Sequence, residues 1–150
     1  MSTKTDRRAR AERLFKVISS ERFLQKQGLG NEVPFFICAF DAEDGLSLGE
    51  DREDLIARLS HAGVRVLDID LYDLSIRILE DRGIFEQILE VEVETEKAEL
   101  KKLLQGVLDP QAHLIPEIAR SIEEVPHDVI FLSGVGEVYP YLRSHNVLNN

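Results

Sequence analysis

Three aspartates, Asp41, Asp68 and Asp70, follow or close apolar runs of the chain. Carboxylate oxygens at such positions suit Mg²⁺. In open α/β sheets, ligands bind beyond the carboxyl ends of strands. With the glycine turn Gly134–Gly136, these groups carry one chemical reading, a degenerate nucleotide-binding or Mg²⁺-dependent phosphoryl-transfer or hydrolase domain. The same residues have plainer uses. An aspartate at a strand end caps the next helix, here the one near Tyr72. The stretch "DAEDGLSLGE" lacks the lysine of a P-loop and sets acids where phosphates would sit. The run G-V-G-E-V-Y at 134–139 lacks the third glycine of the dinucleotide fingerprint. A tight strand-to-helix turn accounts for its glycines equally well.

Metal and nucleophile sets are thinner. His61, His113, His127 and His145 show no metal-ligand spacing, and the single cysteine, Cys38, supplies no thiolate set. Ser133 with His145 has the right types for a nucleophile and its base, but the sequence does not fix their geometry. No cofactor is expected, and no catalytic residue is assigned.

The segment "DVIFLSGVGEVYPYLRSHNVLNN" offers recognition instead. Gly134 and Gly136 turn the chain out of an apolar run. Pro140 is read as sitting in the first turn of the next helix. Arg143, His145 and Asn146 then lie on that helix, with Tyr139 and Tyr141 adding amphipathic area. Tyrosine and arginine together are a common hot-spot mixture at protein interfaces. The expected partner-binding residues are therefore Gly134, Gly136, Tyr139, Tyr141, Arg143, His145 and Asn146.

The elements that must position these groups can be read from periodicity. Residues 5–27 read as helix, with a break at Ser19–Ser20. "VPFFICAF" at 33–40 reads as a strand buried on both faces. Ser47 and Glu50 suggest a capping box for a helix that ends at Gly63. "VRVLDIDL" at 64–71 and "DVIFLS" at 128–133 read as two further strands. A long helical stretch lies between these two strands, interrupted at Gly83, with starts near Asp109–Pro110 and Pro116. The alternation predicts a single α/β domain over 1–150. Its expected form is a three-layer Rossmann-like fold, a small mainly parallel sheet flanked by helices. The helical pattern ending in "VLNN" calls for a further strand beyond Asn150.

Charge narrows the partners. The 150 residues carry a net charge of −10, which argues against a broad phosphate-binding surface. Residues 1–27 run the other way, with eight Lys/Arg against three acids. Arg7, Arg8, Arg10 and Arg13 could give a weak nucleic-acid contact. The plainer reading is a helix face lying on the protein's own acidic body. One cysteine excludes an internal disulfide and fits a cytoplasmic protein. No apolar run is long enough for a membrane span.

"IFLSGVGEVYPYLRSHNVLNN" closely resembles the BrxB family, encoded in BREX bacteriophage-exclusion systems. "PFFICAFDAEDG" and "VRVLDIDLYDL" match that family's pattern in order and spacing, and the resemblance covers roughly residues 10–150. It implies a small accessory component of a phage-defence locus in which a methyltransferase marks host DNA. It implies no catalytic residues. It also implies a partner, the PglZ-like protein of the alkaline-phosphatase superfamily from the same locus. Family members run on into another strand with a proline-glycine turn, so the C-terminal end is expected to be missing here.

Overall fold

The computed structural model describes residues 3–25 and 36–149. The chain divides into two units. One comprises residues up to Val66 with His127–Val129; the other comprises Leu67–Pro126 with the C-terminal segment from Ile130.

The first unit opens with α1 (Lys4–Ile18) and α2 (Glu21–Leu24), separated at Ser19–Ser20 as expected. Thr3 starts α1 with a reciprocal cap. Its hydroxyl accepts from the Asp6 N–H at 3.1 Å, and its own N–H donates to the Asp6 carboxylate at 3.1 Å. The basic face of α1 packs on α3 (Gly45–His61). Arg7 grips Asp51 with Nη2 at 2.7 Å and Nε at 3.1 Å, and Arg10 reaches the same carboxylate at 3.4 Å. Those hydrogen bonds, Arg7 foremost, hold the Asp51 carboxyl below the usual range. Arg58 pairs with Glu12 at 3.1 Å and lies 4.3 Å above the Phe15 ring. Among the described residues of this unit, Ile18, Leu55, Leu59, Val64 and Val129 are the buried apolar ones.

Two expectations fail here. Of the strand placed at 33–40, residues 33–35 lie outside the described ones. Residues 36–40 form no strand and are exposed, with Phe36 at 63% and Ile37 at 83%. An apolar run becomes a strand only when a neighbour completes its hydrogen-bond ladder and covers its faces. Among the described residues no strand pairs with this run, so the strand, helix and strand read over 33–71 do not share a sheet there. The Ser47/Glu50 capping box is also absent. A 3₁₀ turn, Ala42–Asp44, carries the chain straight into α3 at Gly45. Ser47 is thus already inside the helix, and its hydroxyl donates to the Asp44 carbonyl at 2.9 Å. The other end of α3 is as expected. Gly63 adopts φ 84°, and the next N–H, of Val64, donates to the Leu59 carbonyl at 2.9 Å.

The described residues form a two-stranded sheet of β1 (Val66–Asp70) and β2 (Val129–Ser133). Arg65 aligns the two strands at their starts. Its carbonyl accepts from Asp128 and Val129, at 2.8 and 3.1 Å. Its own N–H and its Nε both donate to Asp128 Oδ2, at 2.9 and 3.0 Å, and Nη2 donates to Oδ1 at 3.0 Å. Strands aligned start to start are parallel. The structure is thus α/β but mainly helical, and a three-layer Rossmann-like sheet is not present among the described residues.

Hydrogen bonds from the Arg65 side chain, then from its backbone N–H, lower the Asp128 carboxyl to about 2. A folded pKa below the unfolded one adds stability above the unfolded value. That stability is lost as pH falls from about 4 through about 2. Asp128→Asn removes this contribution. Urea midpoints of the two proteins are therefore expected to differ at neutral pH and to converge below pH 3. A constant gap across that window would show that Arg65 does not act through the carboxylate charge.

The second unit is built around α4 (Leu71–Asp81), which leaves β1 directly. Asp70 caps it, its Oδ1 accepting from Tyr72 N–H at 2.9 Å and Asp73 N–H at 3.2 Å. Leu71, Leu74, Ile78 and Leu79 form its buried face. They join Leu67 and Ile69 of β1, Leu108, Leu114, Val138, Leu142 and Val147 in one core cluster. Gly83, at φ 69°, separates α4 from α5 (Phe85–Glu92), and α6 (Lys97–Val107) follows. Asp109 caps a short π-helical turn, Pro110–Leu114, through the Ala112 N–H at 2.9 Å. Helix α7 (Ile115–Glu124) carries Pro116 in its first turn. No described helix is long and apolar enough to cross a membrane.

Candidate functional site

The chain leaves β2 at Ser133 and turns through Gly134, which adopts φ 74°. A Cβ built there would stand 2.5 Å from Asp70 Oδ1 and 2.9 Å from the Tyr72 nitrogen. The glycine therefore lies directly on the cap that starts α4. It ties the exit of β2 to the exit of β1. Helix α8 (Val135–Val138) follows, with Gly136 inside it and open space around its Cα.

Beyond α8 the chain is extended at Tyr139, φ −70° and ψ 136°, and the Tyr139–Pro140 bond is cis. Gln105 of α6 donates from Nε2 to the Pro140 carbonyl at 3.1 Å. Arg143, extended at φ −119° and ψ 137°, precedes α9 (Ser144–Leu148). This corrects the reading of Pro140 as the first turn of a helix. With Tyr139 and Arg143 both extended, helix resumes only at Ser144. His145 and Asn146 lie on α9, while Arg143 stands before it. Val138, Leu142 and Val147 anchor the whole segment in the core.

Between α8 and α9 the surface forms a shallow depression of about 390 Å³. Val135, Gly136, Tyr139, Leu142, Arg143 and His145 line it. Four of the residues expected from sequence meet here: Gly136, Tyr139, Arg143 and His145. Gly134, Tyr141 and Asn146 are outside the lining. Gly134 braces the turn, Tyr141 is half-buried and Asn146 is exposed on α9. Val135 and Leu142 were not anticipated as site residues. Tyr139 is 62% exposed, and Arg143 and His145 are exposed as well. The arrangement combines an apolar floor with a tyrosine, a guanidinium and an imidazole.

The chemical alternatives gain little. Asp68 and Asp70 lie on one strand, and Asp70 Oδ1 already serves as a helix cap. Asp41 belongs to the first unit. Among the described residues no group of three or more His, Cys, Asp or Glu is placed to hold a metal ion. Ser133 is not in the lining with His145. No G-x-S-x-G elbow was expected, yet one stretch has its spacing. Gly45-Leu46-Ser47-Leu48-Gly49 has the G-x-S-x-G spacing of a nucleophile elbow. The structure puts Ser47 within α3, donating to Asp44. His61 stands about 20 Å further along the same helix, by the helical rise per residue. The strained strand-to-helix turn of an elbow is missing. Of the four N-terminal arginines, Arg7 and Arg10 are engaged with Asp51, and Arg8 and Arg13 are exposed.

Residues 67–150 match the family model described as "BREX protein BrxB". The matched span starts where the second unit starts and contains all of the depression. A BREX protein BrxB of Bacillus cereus (strain H3081.97) is 27% identical over 145 residues, covering 94% of this chain and 74% of that protein. A BREX protein BrxB of Escherichia coli O9:H4 (strain HS) is 30% identical over 132 residues, covering 88% of this chain and 65% of that protein. No solved structure matches.

Proposed function

This chain belongs to the BrxB family, a component of BREX phage-defence systems, and from that premise we propose that it is a non-enzymatic adaptor. On this reading it holds another component of its locus through the α8–α9 segment. The partner we propose is the PglZ-like protein of the alkaline-phosphatase superfamily. One observation carries the reading. Exposed Tyr139, Arg143 and His145 surround an apolar floor of Leu142, which is buried in the core, and Val135, which is partly buried against it. A rigid support under exposed aromatic and arginine side chains is what an interface hot spot needs.

Co-purification with the PglZ-like protein tests it. Tyr139→Ala removes an exposed side chain, so stability is expected to stay within about 0.5 kcal/mol of wild type. Binding is expected to weaken by roughly 30-fold, which corresponds to a hot spot of about 2 kcal/mol. Wild-type protein that fails to co-purify with any component of its locus would end the adaptor reading. If Tyr139→Ala binds as wild type does, the contact lies elsewhere.

A further inference from the structure

We propose that the depression between α8 and α9 recognises a single aspartate or glutamate side chain flanked by apolar residues on a partner protein. The inference rests on reading this depression as a contact surface and adds the chemistry of what enters it. Arg143 is the one Lys or Arg in the lining. Among the described residues no Asp or Glu lines the depression. A guanidinium at such a rim favours a carboxylate. Its planar fork binds one carboxylate through two parallel N–H···O bonds.

The other lining groups fit the same occupant. His145 shares the rim with Arg143 and offers a ring N–H as a second donor. Val135 and Leu142 give an apolar floor, and the Tyr139 ring an amphipathic wall. A volume of about 390 Å³ is at the low end for enclosed ligand sites, and this one is shallow. It therefore takes side chains standing on a protein surface. A carboxylate over Arg143 with a leucine or phenylalanine on the floor uses every lining group.

The test needs no component of the defence locus. Full-length ¹⁵N-labelled protein is titrated, to millimolar concentration, with the peptides acetyl-Asp-Leu-Phe-amide and acetyl-Asn-Leu-Phe-amide. The Arg143 Nε–H, the His145 ring and the Tyr139 amide report binding. The aspartate peptide is expected to bind about tenfold more tightly than its asparagine twin, as a charge-assisted pair gives. Arg143→Gln is expected to abolish that preference and Arg143→Lys to keep part of it. Equal responses to the two peptides, or none, would overturn the carboxylate assignment even if the protein co-purifies with its partner. An aspartate preference that depends on Arg143, in a protein that co-purifies with nothing, would leave the assignment standing while the adaptor reading falls.

Discussion

Gly134→Ala is expected to destabilise the protein by about 3 kcal/mol, from combined backbone strain and a clash that cannot relax cheaply. At φ 74° an alanine is already in the left-handed region that side chains disfavour. Its Cβ would also stand 2.5 Å from Asp70 Oδ1, 2.9 Å from the Tyr72 nitrogen and 3.2 Å from the Leu71 nitrogen. Two of those three atoms are backbone at the start of α4. The third is the oxygen that caps the helix, held by two N–H donors. Relief therefore requires the cap to open or the β2 exit to move away. Either weakens the joint on which the α8–α9 segment stands. Gly136 is the internal control, since it lies in α8 with nothing within 4 Å of a new Cβ. Gly136→Ala is expected to be neutral or to stabilise by up to about 1 kcal/mol, the helix-propensity gain. Urea unfolding followed by circular dichroism checks both. A Gly134→Ala midpoint equal to wild type would mean that the joint yields without cost.

That contrast also shows which glycine the sequence could explain. G-V-G was read as a turn in which both glycines serve alike. Only the first has a positive φ and a neighbour in the way. The neighbour, Asp70, is far away in the chain, so spacing could not single it out. Features carried by adjacent residues were legible. The Ser19–Ser20 break, the Gly63 stop, the Asp70 and Asp109 caps and the Pro116 start each depend on a few consecutive positions. The residues at 36–40 were misread because a strand is defined by partners that composition does not supply. Arg65 and Asp128 went unnoticed for the same reason, since their fork across the strand starts joins residues 63 positions apart. In the candidate site, the polar rim was legible because Tyr139, Arg143 and His145 are unusual neighbours. Its floor was not, because Val135 and Leu142 carry the apolar signature of core.

Leu142 is both, and it makes the second large prediction. It is 1% exposed, belongs to the core cluster and lines the depression. Leu142→Ala is expected to lower stability by about 3 kcal/mol, the usual effect of a large-to-small change in a packed core. It also leaves a void beneath the depression that Leu142 lines. Leu142→Met keeps the volume and is expected to stay within about 1.5 kcal/mol of wild type. Its flexible thioether still fills the floor. Under conditions where all three proteins are folded by circular dichroism, co-purification should therefore rank wild type and Leu142→Met together, well above Leu142→Ala. The preference for the aspartate peptide should respond differently. It depends on Arg143, which stands outside the core and is exposed. Leu142→Ala is expected to weaken both peptides by a similar factor and leave their ratio near tenfold, because the carboxylate contact adds to the floor contact only where the two are independent. If the ratio collapses together with the affinity, the floor positions the guanidinium, and rim and core form one coupled unit.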